Sequence, residues 1–484
     1  MNYSIIKRTL GWLLLFEAFF FLLPAITAII YQEKEGFSFL LCMILCGALS
    51  AIILSKKPKN KDIYAKEGFV IVAMSWVVMS LFGALPFYLS GAITSYVDAL
   101  FETVSGFTTT GATILSGAQV DSLAKCLLLW RSFTHWVGGM GVLVLIMAFL
   151  PLSGANNLHM MKAESTGASV SKLVPKVRQT AGILYSIYFI LTIIQFLLLV
   201  IGKMPVFDAL NTAFATAGTG GFAVRSDGML SYTPYVQWVV TIFMLIFSIN
   251  FNAYYLLLRG KIKDFLTVEI KTFFVVVAAA ILLITLNLSF TQSEQYQLTI
   301  EESVRHSAFT VASIISTTGF ATLDFNLWPT LSKVILVTLM FVGACAGSTG
   351  GGMKISRIIV LTKGGVHEVG RMIHPKQVKK ISLDGRVVEH EVVRSINAYL
   401  MAFILLYVVS LLLISLDGFD FTTSFTAVAA TMNNIGPGLG AVGPSGNFAA
   451  FSPFSKLVFI FDMLAGRLEV FPMLVLFSPS TWRK

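Results

Sequence analysis

Four tripeptides ending in glycine are spread along the chain: Thr109-Thr110-Gly111, Thr219-Gly220-Gly221, Thr317-Thr318-Gly319 and Asn434-Ile435-Gly436. Each closes a short apolar segment, near 98 to 110, 206 to 220, 303 to 318 and 421 to 435, that is too short to cross a bilayer. Glycine takes positive φ at little steric cost, so a backbone passing through it can turn successive carbonyls toward one axis and replace the water shell of an ion. No ring of Asp or Glu adjoins the four glycines. Carbonyl and Thr hydroxyl oxygens would then set selectivity, a chemistry that favours potassium over calcium. A single Thr-Thr-Gly is equally a loop turn, but four copies in the same setting point to a pore.

The glycines also set a register. Thirteen residues before them stand Asp98, Asp208, His306 and Thr423, three of which can cap a helix start. Each segment is therefore expected to begin as a capped helix at the outer surface, run inward for about three turns and present the partial negative charge of its C-terminus to the axis.

Two further features could act on such a pore. Within an apolar run lies Gly343-Ala344-Cys345-Ala346-Gly347-Ser348-Thr349-Gly350-Gly351-Gly352-Met353-Lys354. Each interior glycine costs a helix about 1 kcal/mol relative to alanine. The stretch therefore predicts a broken helix lining the pore below the filter. It nearly matches a phosphate-binding glycine loop, but Met353 separates Gly352 from Lys354 and no strand precedes it, which argues against a nucleotide. Arg467 lies inside the last apolar run, and an intramembrane arginine is a functional candidate by default. Glu469, two residues on, is a poor direct partner on a helix, so Arg467 is expected to face the pore. Glu17 and His135, also within apolar runs, are read as packing or interfacial groups. So are the glycines that follow Arg131 in Trp136-Val137-Gly138-Gly139-Met140-Gly141.

The elements that would position these groups follow from composition. Of 484 residues, 56% are hydrophobic and 12% charged, and 40 are Phe. No soluble fold hides that much apolar surface. About ten runs are long enough to span a bilayer, near 10 to 30, 37 to 55, 68 to 90, 124 to 150, 180 to 202, 236 to 258, 271 to 290, 332 to 361, 395 to 416 and 454 to 478. The net charge of +10 comes from basic residues in short loops, which encode topology rather than a nucleic-acid surface. Lys7 and Arg8, then Lys56, Lys57, Lys59, Lys61 and Lys66, then Arg259, Lys261 and Lys263 fall on one side. The stretch from Lys363 to Arg394 joins them, which makes both termini cytoplasmic. The basic N-terminus could be mistaken for a signal peptide, but its apolar run of about 20 residues lacks a small-x-small cleavage site and reads as a retained helix. Cys42, Cys46, Cys126 and Cys345 have neither metal-ligand spacing nor an extracellular pairing and read as packing residues.

The expected fold is an all-α membrane protein with four pseudo-symmetric helix, pore-loop, helix units around a central pore, preceded by two N-terminal helices. The divisions are 1–66 for the leading helices, 67–155, 179–262 and 268–365 for the first three units, 366–392 for a cytoplasmic loop and 393–484 for the fourth unit. Two rivals are weaker. An alternating-access secondary transporter also uses broken helices, though usually in six-helix repeats. A membrane-embedded enzyme would need a convergent acid, base or metal set, and the scattered carboxylates and six His supply none.

Over nearly its full length the chain resembles the TrkH and KtrB family of bacterial potassium-uptake proteins. The resemblance is carried by Ser105-Gly106-Phe107-Thr108-Thr109-Thr110-Gly111-Ala112-Thr113, Thr219-Gly220-Gly221-Phe222, Ser316-Thr317-Thr318-Gly319-Phe320 and Asn433-Asn434-Ile435-Gly436-Pro437-Gly438. The two leading helices resemble TrkH more than the shorter KtrB. The resemblance implies a potassium substrate held at the four tripeptides, with Gly111 rather than serine favouring potassium over sodium. It implies an intramembrane loop, carried by Gly347, Ser348, Thr349, Gly350, Gly351, Gly352 and Lys354, that obstructs permeation, and a pore-lining barrier at Arg467. It also implies a homodimer in the bacterial inner membrane and a cytosolic TrkA-like nucleotide-binding subunit, with no cofactor bound by this chain. The second and fourth motifs depart from Thr-x-Gly, and only Gly438 supplies a second glycine two residues on, so the filter is expected to be short.

Overall fold

A computed structural model describes residues 1–56, 64–141, 177–291, 298–374 and 380–482. The expected ends of the 124 to 150 span and of the first unit, Lys57, Lys59, Lys61, part of the loop after Thr291, and Lys376 and Lys379 lie outside the described residues.

Among the described residues the strands form one small hairpin, Ser382–Leu383 paired antiparallel with Arg386–Val387 across an Asp384-Gly385 turn, and the other regular elements are helices. Among the described residues six helices are long and apolar enough to cross a membrane: Tyr3–Tyr31, Gly36–Leu54, Lys66–Leu89, Gln179–Ile201, Val268–Phe290 and His390–Asp417. The first two pack so closely that Ser50 Oγ donates to Gly11 O at 2.8 Å and a side chain on Gly11 would press on Ile53. Their outward faces carry bare apolar side chains, such as Phe37, Ile44 and, on a later helix, Phe290. The interior instead buries Glu102, Arg131, His135, Asn433 and Asn434. Apolar groups outside and paired polar groups inside are what hydrocarbon solvent selects.

Four short helices, Tyr96–Phe107, Val206–Gly218, Ile300–Ile315 and Phe421–Met432, sit between the long ones and aim their C-termini at a common centre. Their capping differs from expectation. Ser95, Thr299 and Asp420 supply the cap oxygens, and Pro205 precedes the second helix without one. Asp98, Asp208 and Thr423 are instead the third helical residues, and His306 lies further along a longer helix. A cap accepts from the N–H three residues on, so Asp98 and Thr423 stand at the donor end of that bond, to Ser95 and Asp420. Asp98 and Asp208 still place negative charge in a helix's first turn, where the macrodipole favours it.

In the second, third and fourth units the helix following the short one is interrupted. The break expected in the third unit separates Thr330–Val342 from Ile355–Ile373. Two runs expected to be continuous also break. Pro234–Phe247 and Phe251–Leu258 meet at 93°, with Asn250 Oδ1 capping Asn252 N at 2.9 Å. Pro453–Arg467 and Phe471–Phe477 are separated by Glu469 and Val470, both left-handed at φ 57° and 68°. In the first unit Lys125–Gly139 ends at Met140, and Gly141 has φ 86°.

Candidate functional site

All four short helices end in the same way. The first residue of each glycine-ended tripeptide, Thr109, Thr219, Thr317 or Asn434, is left-handed, with φ between 54° and 60°. The N–H of the second residue reaches back five residues: Thr110 to Ser105 O, Gly220 to Ala215 O and Thr318 to Ser313 O at 2.9 Å, and Ile435 to Ala430 O at 2.8 Å. The third residue, Gly111, Gly221, Gly319 or Gly436, is left-handed again at 79°, 73°, 83° and 96°. Alternating handedness turns successive carbonyls to one side of the strand. A non-glycine residue in the left-handed region costs about 1–3 kcal/mol, and the same strain recurs at four equivalent places.

The strands close a ring. A methyl added to Gly111 would overlap the carbonyl of Gly220, one on Gly221 that of Thr318, one on Gly319 that of Ile435, and one on Gly436 would approach the carbonyl of Thr110 at 2.7 Å. Each glycine thus faces the middle carbonyl of the next strand, and the fourth returns to the first. Thr110 and Thr318 turn their hydroxyls behind the ring, to Thr108 at 2.7 Å and Ser316 at 2.6 Å, and Asn434 Nδ2 donates to Thr110 Oγ1 at 2.9 Å and Met463 O at 2.9 Å.

On one side of the ring opens a vestibule of about 430 Å³ whose lining includes all four glycines. Beneath the opposite side lies the 343–354 segment. Gly351 N donates to Thr317 Oγ1 at 2.6 Å, and side chains on Gly350 and Gly351 would press on Ser316 O and Asn433 O. The absence of side chains there lets this segment approach the underside of the ring. Gly347 O accepts from Phe251 N at 3.0 Å, Thr349 Oγ1 donates to Phe247 O at 3.2 Å, and Cys345 N donates to Ser248 O at 3.1 Å. The segment is therefore sewn to the break in the second unit. Lys354 is buried, left-handed, and donates to Gly350 O; Ser348 and Gly352 complete the turns. Arg467 is buried and donates to Thr109 Oγ1 at 3.3 Å, Thr349 O at 2.7 Å, Gly138 O at 2.6 Å and Gly139 O at 2.5 Å. One guanidinium thus ties the first tripeptide, the loop and the end of the first unit's second helix. Glu469 pairs with Arg357 on the helix after the loop.

The sequence profile of the TrkH family, described as a cation transport protein, matches residues 35–484. The chain is 36% identical over 491 aligned positions, all of both proteins, to the Trk system potassium uptake protein TrkH of Salmonella typhimurium. It is 34% identical, again over both full lengths, to that of Halomonas elongata, and 32% identical to TrkG of Escherichia coli over 99% of this chain and 98% of the other. The crystal structure of the potassium transporter TrkH from Vibrio parahaemolyticus matches with a TM-score of 0.89 at 32% identity, covering all of both chains. The chain belongs to the TrkH family of cation transport proteins. It is a multi-pass membrane transport protein and not an enzyme.

In this TrkH-family chain several groups around the ring carry more than their sequence suggested. His135, read as a packing residue, is wholly buried between the first two strands. Its Nε2 faces the Phe222 N–H at 3.3 Å and so accepts, which leaves Nδ1 protonated and donating to Gly106 O at 2.7 Å. A side chain on Gly220 would strike its ring. Arg131 pairs with buried Glu102 at 2.8 Å, and Glu102 also accepts from Thr113 Oγ1 and Ile114 N, fixing the strand that leaves Gly111. In the second unit Asp208 binds Arg225 and Tyr232, and in the third His306 meets Thr322 at 2.9 Å. The family's glycines Gly138 and Gly139 do permit close packing, against Phe107 O and Gly218 Cα. An ionisable residue in an apolar run was the available signal for His135, Arg131 and Glu102; their partners lie too far along the chain to be read from spacing.

Proposed function

We propose that this chain carries potassium inward across the bacterial cytoplasmic membrane, through the ring formed by Thr109-Thr110-Gly111, Thr219-Gly220-Gly221, Thr317-Thr318-Gly319 and Asn434-Ile435-Gly436. Potassium is the cargo named for the TrkH and TrkG relatives. The observation that carries the proposal is the closure of the ring, each glycine meeting the middle carbonyl of the next strand. Carbonyl oxygens converging without fixed charge suit a large, weakly hydrated monovalent ion. The vestibule is the outer mouth, and the loop through Gly347, Ser348, Thr349, Gly350, Gly351, Gly352 and Lys354 is the gate. Arg467 adds a positive barrier beneath the ring, which limits how many cations reside there. The divisions at 67–155, 179–262, 268–365 and 393–484 are the four pore units, with both termini cytoplasmic. The protein works as a homodimer and answers to a cytosolic TrkA-like nucleotide-binding subunit, for which the basic face from Lys363 to Arg394 is the docking side; it binds no cofactor of its own.

The test is cation flux into proteoliposomes containing the purified full chain under imposed potassium and sodium gradients. Wild type should pass potassium preferentially, Gly111→Ser should admit more sodium, and deletion of Gly350 to Gly352 should raise flux. Flux indifferent to Gly111 would remove the ring from the conduction path and favour alternating access.

A further inference from the structure

Glu269 lies outside the four tripeptides of the ring. It is the second residue of the Val268–Phe290 helix and only 9% exposed. Its Oε1 accepts from Ala346 N at 2.7 Å and from Ser356 N at 3.3 Å. These two N–H groups lie on opposite arms of the loop: Ala346 follows the Thr330–Val342 helix, and Ser356 is in the first turn of the Ile355–Ile373 helix. The arms also meet directly, Ile355 N donating to Ala344 O at 3.2 Å. A helix's first N–H groups lack partners and carry partial positive charge, and a carboxylate is the strongest acceptor they can find. One carboxylate outside the ring therefore clamps both ends of the loop.

The clamp has its own anchor. Val268 N, one residue before Glu269, donates to Asp384 Oδ1 at 2.7 Å, and Thr267 caps the same helix start. Asp384 sits at the tip of the small hairpin, left-handed at φ 47°. Lys363, on the helix leaving the loop, donates to Ser382 O of that hairpin at 2.8 Å. Bonds thus run in a circuit from hairpin to Val268, through Glu269 to both arms of the loop, and along the Ile355–Ile373 helix back to the hairpin.

We propose that Glu269 is a positioning residue that holds the loop beneath the ring, and that the 382–387 hairpin, through Asp384, sets Glu269 and so transmits a load on its face to the loop. The inference rests on reading the loop as the gate. A clamp shared by both arms restrains the loop as a unit. Loosening it from either end raises the fraction of time the loop stands clear of the ring, and leaves the ring itself untouched.

The experiment is rubidium-tracer uptake into proteoliposomes holding the full chain, with the potassium-to-sodium flux ratio measured alongside. Asp384→Ala, which loses one charge-assisted hydrogen bond, should raise passive uptake about tenfold, and Glu269→Ala, which loses two, about a hundredfold. Glu269→Gln keeps an oxygen facing both N–H groups but loses the charge, and should raise uptake by about tenfold, clearly less than Glu269→Ala. The flux ratio should be unchanged in all three. Deletion of Gly350 to Gly352 separates the two levels of argument. If the deletion raises flux and Glu269→Ala does not, this inference falls and the gate reading stands; if the deletion has no effect, both fall. Asp384→Ala behaving as wild type while Glu269→Ala raises flux would overturn the coupling to the hairpin. Loss of flux together with loss of the ion ratio would make Glu269 a brace for the fold alone and overturn its role at the loop.

Discussion

The ring predicts a graded response to one methyl group placed in turn at Gly111, Gly221, Gly319 and Gly436. All four glycines are left-handed, between φ 73° and 96°, so alanine at any of them costs about 1–2 kcal/mol in backbone strain. At the first three the methyl would also occupy the space of a neighbouring carbonyl oxygen, that of Gly220, Thr318 or Ile435, and the carbonyl must swing away from its present direction. At Gly436 the nearest atoms are Thr110 O at 2.7 Å and Gly111 C at 2.9 Å, backbone atoms that must also move, though less far than the carbonyls at the other three. With 1.4 kcal/mol worth tenfold, Gly436→Ala should lower the initial rate of rubidium uptake about tenfold and leave the preference for potassium over sodium largely intact. Alanine at Gly111, Gly221 or Gly319 should lower it about a hundredfold or more, because strain and a displaced ligand act together, and should weaken the preference. Uptake would be measured at equal reconstituted protein. A wild-type rate and preference in any of the three severe variants, or Gly436→Ala as the worst of the series, would refute the ring geometry.

His135→Ala should lower thermal stability and weaken the potassium preference together, since Phe222 N is left unsatisfied at about 1–3 kcal/mol and Gly106 O keeps only the Thr109 N–H as donor. An unfolding scan with the flux ratio checks this, and a stable variant with unchanged preference would make the imidazole simple filler. The cap of the fourth short helix should respond to acid. Asp420 accepts from Thr423 N at 3.0 Å and Thr423 Oγ1 at 2.5 Å, bonds that hold its carboxyl below the usual carboxylate range. A lowered folded pKa means the stabilisation is complete above about pH 4 and is lost as pH falls through the lowered value. Asp420→Asn should therefore flatten the fall in melting temperature below about pH 4, and Asp420→Ala should cost about 1 kcal/mol at neutral pH. Wild type and Asp420→Asn falling in parallel would assign the acid sensitivity elsewhere.

The glycine register was legible because it rests on a backbone requirement that few other residues meet, and the left-handed angles fall on Gly111, Gly221, Gly319 and Gly436 as the sequence places them. The 343–354 break was legible for the same reason, three successive glycines being poor helix formers. The breaks near Ser248-Ile249-Asn250 and Leu468-Glu469-Val470 were not. Their residues carry no breaker stronger than Asn250 and Pro472, and Val470 at φ 68° is a β-branched residue where local preference forbids one. Tertiary contacts hold it there: Glu469 is drawn to Arg357, 112 residues away in sequence. Nothing in the spacing could name Arg357 as the partner of Glu469. Arg467 likewise announced itself as a lone intramembrane charge, while its acceptors, Gly138, Gly139, Thr109 and Thr349, belong to three separate stretches of chain.

The four helix ends near the ring explain why one chain rather than four identical ones builds it. In each unit the second helix ends or breaks near the ring, but each supplies something different there. The first gives the carbonyls of Gly138 and Gly139, the second the carbonyls of Phe247 and Ser248, the third the whole 343–354 loop, and the fourth Arg467. These pieces are complementary, since a guanidinium needs carbonyls and a loop rich in glycine needs neighbours to bond its free N–H and C=O groups. Strict fourfold symmetry would set four arginines or four loops at one axis, where like charges repel and the backbones collide. Once the units share a chain they can diverge, keeping symmetry at the glycines and losing it immediately beneath, where there is room for a single loop. The bonds that hold the loop come from the second unit through Phe247, Ser248 and Phe251, from the fourth through Arg467 and from its own through Thr317 and Glu269, so a change at the second or fourth break is felt at the third.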